Sequence, residues 1–281
     1  GIFWVIPKIA IGFFVLIFLK LWYRYFLARL GSILVLTTYV FVFIWHIYGL
    51  INMWDIYNGR IRLDISKVNS TFNIVSKDGL HLIFPRKGKF TWEEQERWLR
   101  STLVSDDGFV VSCGWKKFGN YGEFLNETKI LDNELINGGN VNFSHKEDGC
   151  LCIRSVVNGK VILRTRGTIY GEAKDINGKM LRDRFEKVSI NKYPILLENG
   201  FMTDRSLLFE YVSPDNTIVL HYDFEDLVFL GFVVHSDLSI GKWNELYDLS
   251  VRYGFNLVRT HLLPRNPRQL LEKIKDWREE G

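Results

Sequence analysis

The hydrophobic and polar positions divide the chain into two regions. Residues 30–54 contain no Asp, Glu, Lys or Arg, and residues 9–19 form a shorter apolar run. From residue 56 onward, short apolar runs alternate with polar residues, a pattern typical of half-buried strands. We therefore predict an apolar helical segment over residues 1–55 and a separate domain over residues 56–281.

The apolar segment is long enough to cross a membrane. About 20 consecutive apolar residues span the hydrocarbon core of a bilayer, and Trp45, Tyr48 and Trp54 suit an interfacial aromatic belt. The sequence predicts a single transmembrane span or a membrane hairpin, and hence membrane association through residues 1–55. The alternatives are a helix buried in a larger core and a stretch of sequence foreign to the working protein.

Seven runs in the second region are predicted as strands. They are Val75–Phe84, Gly108–Cys113, Cys150–Val156, Lys160–Arg166, Leu207–Val212, Thr217–His221 and Leu227–Val234. Asn158-Gly159 lies between two of these runs and predicts a tight hairpin, because type I′ turns need residues that tolerate positive φ.

Three helices are predicted in the same region. Thr91 can cap a helix over Trp92–Leu99, with Glu94 completing a capping box. A helix over Pro267–Arg278 can begin at its proline, and Lys242–Tyr253 is the third helix. Many strands and few helices indicate an α+β fold of antiparallel sheets with flanking helices, not the βαβ units of a parallel sheet.

Composition excludes two classes of protein. With 47% hydrophobic and 24% charged residues among 281, the chain is not a disordered tail. Three cysteines are too few for a disulfide scaffold. The net charge of +4 comes mostly from residues 1–55, so the overall charge is no argument for nucleic-acid binding.

The sharpest local motif is Lys146-Glu147-Asp148-Gly149, which has the form K-x-D-G and precedes the predicted strand at Cys150. A deprotonated lysine amine can attack the α-phosphorus of ATP and expel pyrophosphate. Cationic side chains and Mg²⁺ would balance the charge of the transferred phosphoryl group. The motif therefore favours covalent nucleotidyl transfer, and a solvated charged turn is the alternative.

Cationic groups that could clamp phosphates are expected downstream of this lysine. Arg164 and Arg166 end the predicted hairpin, and a period of two residues puts both on one face. Residues 154–192 hold ten Lys or Arg and four Asp or Glu. Such a basic stripe favours a polyanionic substrate, and a solvated face with local salt bridges is the alternative.

A carboxylate interrupts the aromatic strand at Leu207–Val212. Alternation puts Glu210 on the face opposite Phe209 and Tyr211. A carboxylate within such a strand is costly unless it has a partner, so a ribose hydroxyl or a metal-bound water would explain Glu210. An outward-facing residue of a half-exposed sheet is the alternative.

Taken in order, these motifs resemble those of the phage-type ATP-dependent RNA ligases of the tRNA-repair kind, which are covalent nucleotidyltransferases. The resemblance covers roughly residues 75–281. Four stretches carry it: Arg100-Ser101 with Gly108–Val111, Lys116–Glu123, Lys146–Leu151 with Arg164–Gly167, and Phe209–Pro214. The resemblance implies a nucleotidyltransferase (ATP-grasp-like) domain.

The resemblance also implies a reaction and its site residues. Lys146 would take AMP from ATP, the AMP would pass to an RNA 5′-phosphate, and an RNA 3′-hydroxyl would displace it. Phe209 would lie beside the adenine and Lys117 near the phosphates. The implied nucleotide-binding residues are Arg100, Lys117, Glu147, Asp148, Gly149, Arg166, Phe209 and Glu210, and the implied metal ligands are Glu210 and Glu280.

The same resemblance implies ATP and Mg²⁺ as cofactors and RNA ends, including those of nicked tRNA, as partners. It places the protein in the cytoplasm of a bacterial or phage-infected cell. The alternatives are a membrane-anchored nucleotide- or RNA-binding module without ligase activity, and another covalent nucleotidyltransferase of the DNA ligase or capping type.

The chain departs from the family pattern at three points. Ser101 stands where glycine is common, and Gly119 stands where a second aromatic residue is usual. The paired-lysine motif that follows in the family does not occur before Gly281. We therefore expect a chain cut at its C terminus, in which adenylylation of the lysine is severely impaired.

Overall fold

The computed structural model describes Lys20, Tyr23 and residues 53–88, 91–137, 141–216 and 218–261. One compact unit covers Trp54–Gly281. Most of the apolar segment 1–55 and all of the predicted helix Pro267–Arg278 lie outside the described residues, so both stay predictions. Within the described ranges, no helix is long and apolar enough to cross a membrane.

Thirteen strands are described in the compact unit. They are β1 (Trp54–Tyr57), β2 (Arg60–Leu63), β3 (Phe72–Lys77), β4 (Leu80–Pro85), β5 (Thr102–Ser105), β6 (Val110–Cys113), β7 (Phe143–Ser144), β8 (Cys150–Val157), β9 (Lys160–Arg164), β10 (Arg205–Val212), β11 (Asp226–Val234), β12 (Asn256–Leu257) and β13 (Thr260–His261).

These strands form four sheets. A four-stranded sheet has the order β3-β4-β5-β6, and a five-stranded sheet has the order β12-β11-β10-β8-β9. The pairs β1–β2 and β7–β13 form two small sheets. The pairings are antiparallel except for the parallel pair β11–β12. The predicted α+β class with antiparallel sheets is thus confirmed.

In the described part of the chain, three α-helices accompany the sheets: α1 (Leu125–Ile136), α2 (Leu181–Lys192) and α3 (Trp243–Tyr253). Helix α3 confirms the prediction for residues 242–253. Helices α1 and α2 are missed by periodicity, because α1 buries no side chain and α2 buries Arg184 and Ser189 beside its apolar residues. Short 3-10 helices lie at Ile65–Lys67, Glu94–Arg100 and Pro194–Leu197.

Two of the predicted strands are corrected. The run predicted at Val75–Phe84 is a hairpin of β3 and β4, with Asp78 and Gly79 at φ of 54° and 72°. This is the same turn chemistry that correctly predicts the hairpin at Asn158-Gly159, where φ is 50° and 71°. Residues 218–221, predicted as strand, form an irregular loop.

The predicted helix over Trp92–Leu99 is also corrected. The chain forms a 3-10 helix that begins at Glu94 and ends at Arg100. Its capping box uses Glu93 and Glu96, whose carboxylate accepts a hydrogen bond from the Glu93 backbone N–H at 3.1 Å. The spacing of the box is as predicted, but its position is two residues later.

The main core lies on one face of the five-stranded sheet. Leu207, Phe209 and Tyr211 of β10 are fully buried there with Phe229 of β11. Helices α2 and α3 supply further members of this core, including Phe185 and Leu246. Alternation along β10 therefore leaves the other face of the strand, which carries Glu210, for the site described below.

A buried polar network joins the two large sheets. The guanidinium group of Arg164, at the end of β9, donates to Ser112 Oγ of β6 at 2.8 Å and to Ser101 Oγ at 2.7 Å. Ser155 of β8 contacts both Ser112 and Ser206 at 2.8 Å. Burial lowers the pKa of Arg164 to about 10. Hydroxyl and carbonyl oxygens thus solvate a guanidinium group that has no exposure to water.

Replacing this guanidinium group tests the network. We expect Arg164→Met to lower the free energy of unfolding by about 3 kcal/mol, because it leaves buried hydroxyl and carbonyl groups without a donor. Arg182→Met, at an exposed ion pair on α2, is the control and should change it by less than about 0.5 kcal/mol. Chemical denaturation of the three proteins measures the difference, and equal stabilities would contradict the role of Arg164.

Candidate active site

One cavity of about 1220 Å³ collects residues from segments far apart in the sequence. Its lining includes six of the predicted site residues, namely Arg100, Lys146, Glu147, Gly149, Arg166 and Glu210. The K-x-D-G motif, the middle of β10 and the segments that follow β9 and precede β5 all border it. The volume is large enough for a nucleotide.

Lys146 lies in the segment that joins β7 to β8. Its side chain is 90% exposed, and its Nζ lies 3.9 Å from Asp148 Oδ1. The backbone on either side is held: His145 N–H donates to the carbonyl oxygen of Arg259 at 2.8 Å, and Gly149 N–H donates to Glu210 Oε1 at 3.1 Å. An exposed amine thus projects from a fixed backbone at the cavity.

Gly149 is required by the packing of the motif against β10. A Cβ atom at this position would lie 2.1 Å from the carbonyl oxygen of Tyr211, far inside van der Waals contact. The absent side chain lets the start of β8 approach β10 closely, and the glycine N–H reaches the carboxylate of Glu210.

Glu210 lies on the cavity face of β10, opposite Phe209 and Tyr211, as alternation predicts. Burial raises its pKa to about 7. A hydrogen bond from Gly149 N–H and the charge of Lys146 both act to lower this pKa, but the effect of burial is larger. The carboxylate therefore carries a proton for part of the time near neutral pH. A ligand that donates hydrogen bonds or positive charge to it would favour the ionised form.

Arg100 and Arg166 bring positive charge to the same cavity. Burial, followed by the charge of Arg166, lowers the pKa of Arg100. The guanidinium group of Arg100 lies 4.9 Å from the ring centroid of Phe118. Ser101 Oγ donates to the carbonyl oxygen of Arg166 at 2.8 Å, so the residue that replaces the family's usual glycine fixes the backbone of one of these cations.

Arg164 and Arg166 do not share a face, which corrects the prediction. Strand β9 ends at Arg164, so the alternation does not extend to Arg166. Arg164 is fully buried between the sheets, whereas Arg166 lines the cavity.

Lys117 lies in a second cavity of about 270 Å³. This cavity shares Arg100, Phe118 and Arg166 with the larger one. Lys117 Nζ donates to the carbonyl oxygen of Phe118 and lies 3.4 Å from Glu123 Oε1. The structure therefore separates Lys117 from the K-x-D-G motif but connects both through a common pair of arginines.

Two predicted nucleotide-binding residues do not line either cavity. Phe209 is fully buried in the main core, against Phe229 and Phe255. Because strand alternation puts Phe209 and Glu210 on opposite faces, the two side chains cannot both contact one nucleotide. Asp148 instead accepts hydrogen bonds from the backbone N–H groups of Val219 and Leu220, so its carboxylate holds the loop that follows β10.

The predicted basic stripe over residues 154–192 is divided by the fold. Three of its ten cations, Arg154, Arg164 and Arg184, are buried. Arg184 pairs with Asp175 at 3.2 Å, and others on α2 pair with acidic residues outside the stripe, as Lys187 does with Glu225 at 2.6 Å. The alternative interpretation of the basic stripe, a solvated face with local salt bridges, therefore describes much of this region.

Several apolar residues of the cavity were not anticipated from the sequence. They are Phe84, Pro85, Trp115, Phe118, Ala173, Leu181, Leu230 and Val258. Gly231 makes room for Trp115, because a Cβ atom there would lie 2.7 Å from the indole ring. The sequence signal that could have identified Trp115 is its position between the predicted strand Gly108–Cys113 and the Lys116–Glu123 stretch.

The metal prediction rests partly outside the described residues, because Glu280 is not among them. In the ranges that the structure describes, no group of three or more His, Cys, Asp or Glu side chains could hold a metal ion. Glu210 lines the cavity beside Glu147, so the carboxylate oxygens described there come from only two predicted site residues.

Lys146, Glu210, Arg100 and Arg166 thus line one cavity of an α+β fold with mostly antiparallel sheets. A family model described as RNA ligase matches residues 97–281, and the chain therefore belongs to the phage-type RNA ligase family. No curated protein matches the chain.

Two solved structures with similarity to the chain are described as ligases. One is an Aquifex aeolicus protein assigned as an ATP-dependent DNA ligase, with 16% identity and a TM-score of 0.46 over 75% of this chain and 52% of that one. Another is an archaeal ATP-dependent RNA ligase, with 14% identity and a TM-score of 0.45 over 73% of this chain and 51% of that one. The chain thus spans about half the length of these structures.

The pKa of Glu210 predicts a pH-dependent cost in stability. The folded state holds a proton on Glu210 between pH 4.5 and about 7, where the unfolded state has released it, so stability falls as the pH rises through this window. We expect Glu210→Gln to raise the free energy of unfolding at pH 8 by up to about 3 kcal/mol, with little effect at pH 4. Glu186→Gln, on the exposed face of α2, is the control.

Denaturation at a series of pH values measures this difference. His235, whose pKa burial lowers to about 4, changes the stability of all three proteins alike, so the comparison removes its contribution. A parallel pH dependence for wild type and Glu210→Gln would contradict the buried, protonated state of Glu210.

Gly149 provides a separate structural prediction. Gly149→Ala should destabilise the protein by about 1–3 kcal/mol or more, because the new methyl group would collide with the backbone of β10. Gly200→Ala is the matched control, since nothing lies within 4 Å of a Cβ atom there. Thermal unfolding of both variants checks the prediction, and equal shifts in Tm would overturn it.

Proposed function

We propose that this chain carries the nucleotide-binding core of an ATP-dependent RNA ligase, which joins RNA 5′-phosphate and 3′-hydroxyl ends through lysyl-AMP and adenylylated RNA intermediates. The observation that carries the proposal is the convergence of Lys146, Glu210, Arg100 and Arg166 on one cavity. Membership of the RNA ligase family supports it.

In the first step, the Lys146 amine attacks the α-phosphorus of ATP. A nitrogen–phosphorus bond forms, the bond from that phosphorus to the bridging oxygen breaks, and pyrophosphate leaves. The amine must be deprotonated for this attack. Its side chain is 90% exposed in the chain alone, so the amine is accessible to a nucleotide that enters the cavity.

Arg100 and Arg166 would balance phosphate charge. Their shared position between the two cavities suits the α-phosphate on one side and the departing phosphates on the other, with Lys117 beyond them. Preorganised cations around a transferred phosphoryl group stabilise the charge that develops there.

The base would lie against the apolar part of the large cavity. Trp115 and Phe118 both line it, and each offers an aromatic face for stacking. We assign this contact to these two residues in place of Phe209. The ribose hydroxyls would then reach Glu210, whose second carboxylate oxygen could accept a hydrogen bond.

The site fits Mg²⁺ as an ion shared with the nucleotide. Mg²⁺ usually keeps several waters and binds one or two carboxylates together with substrate phosphates, and Glu210 supplies such a carboxylate at the cavity. The ion would neutralise phosphate charge when bound. Glu210 would bind the ion as an ionised carboxylate, and the positive charge of the ion would favour this ionised form.

Labelled ATP tests the proposal directly. Incubation of the protein with ATP labelled at the α-phosphate and Mg²⁺ should give a covalent AMP adduct, which mass spectrometry assigns to Lys146. Because we expect adenylylation to be severely impaired in residues 1–281 alone, the adduct should form slowly. Lys146→Ala should abolish the adduct because it removes the nucleophile. Lys160→Ala, at the exposed first residue of β9, should retain it.

The substrate classes are separated in the same assay. Sealing of single-stranded RNA bearing a 5′-phosphate supports the RNA ligase, and preferential sealing of nicked duplex DNA supports a DNA ligase instead. Binding of ATP with no adduct in the wild type would overturn the proposed mechanism and indicate a nucleotide-binding module.

A further inference from the structure

A buried tyrosine connects the K-x-D-G motif to the loop that follows β10. The Tyr222 hydroxyl accepts a hydrogen bond from Asp148 N–H at 2.9 Å and donates one to Glu147 Oε2 at 2.9 Å. The side chains of Glu147 and Asp148 are almost fully buried, with 8% exposure for each residue. One hydroxyl group therefore satisfies both a backbone donor and a charged acceptor within the motif.

The environment of Tyr222 holds its ring in place. The residue is 6% exposed and packs with Val212, Val228 and Val258. Asp148 reinforces the contact from the other side, since it accepts the backbone N–H of Leu220 at 2.8 Å. The hydroxyl group thus has a fixed position relative to β10, β11 and the loop.

Lys146 lies directly between anchored residues. Before it, His145 N–H donates to the carbonyl oxygen of Arg259, and after it, Glu147 and Asp148 are both bound by Tyr222. The exposed lysine side chain has little packing of its own to fix its direction. The backbone on its two sides must therefore set where the amine points.

We propose that Tyr222 is a positioning residue for Lys146, acting through the two hydrogen bonds of its hydroxyl group to Glu147 and Asp148. The inference rests on the proposed function for its catalytic consequence. Tyr222 does not border either cavity, so its contribution lies in the geometry of the attack and not in nucleotide binding. A misplacement of about 1 Å at a reacting group can lower a rate about a hundredfold.

Tyr222→Phe is the test because it removes the hydroxyl group and keeps the ring in its apolar cluster. The rate of lysine adenylylation at saturating ATP should fall about tenfold or more, while the dissociation constant for ATP stays within about twofold of the wild-type value. Single-turnover formation of the labelled adduct and equilibrium titration with ATP measure the two quantities.

Tyr193→Phe is the matched control. Tyr193 is also buried, and its hydroxyl group donates to Asp226 Oδ1 at 2.9 Å, away from the motif. This variant loses a comparable hydrogen bond and should keep the wild-type adenylylation rate at a temperature where both variants are folded. Equal rates for wild type and Tyr222→Phe, or equal losses in both variants, would overturn the positioning role.

Amide hydrogen exchange separates this inference from the proposed function. The Asp148 N–H should exchange about tenfold faster in Tyr222→Phe than in wild type or Tyr193→Phe, because its acceptor is lost. Absence of an adduct in the wild type would refute the proposed function. Unchanged exchange at Asp148 would refute the contact on which the positioning role depends.

Discussion

The arrangement of the site depends on the burial of Arg164. Its guanidinium group needs oxygen partners on every side, because a charged group out of contact with water is costly unless it is solvated by the protein. Ser112 of β6 and Ser101, directly before β5, provide them, so both lie in or next to the other large sheet. The hydrogen bonds that Arg164 needs thus fix how the two large sheets pack against each other. The same Ser101 hydroxyl binds the backbone of Arg166, so the constraint extends to a cation at the cavity.

A second constraint couples the motif to β10. Gly149 permits a close approach to the Tyr211 backbone and donates to Glu210. Burial raises the pKa of that carboxylate to about 7, although the hydrogen bond acts to lower it. Burial of this ionisable group is unfavourable for the chain alone, whereas a ligand that brings compensating charge would stabilise the ionised carboxylate. Under the proposed function, the burial that lowers stability here would therefore favour nucleotide binding.

The features that the sequence predicts correctly are those determined by residues close together in the chain. The turn at Asn158-Gly159 and the helix at Trp243–Tyr253 depend on nearby residues. The turn at Asp78-Gly79 carried an equal signal and was overlooked. Helix α2 escaped prediction because its buried face includes Arg184 and Ser189, whose partners lie elsewhere in the fold. Phe209 was assigned to the nucleotide through family resemblance, although strand alternation alone already opposed it to Glu210.

The sequence by itself determined the order of the motifs, the alternation that puts Glu210 on the face opposite Phe209, and the glycine that follows the K-x-D-G lysine, because these depend on spacing along the chain. Only the tertiary structure decided which cations reach the cavity. Arg164 and Arg166 are two residues apart and equally basic, yet one is enclosed by hydroxyl groups from a distant segment and the other borders the cavity. Likewise, the Tyr222 hydroxyl meets the motif across 74 residues of sequence. Such outcomes depend on where a strand ends and on what packs against it. Contacts between distant segments determine both, and the local sequence pattern does not.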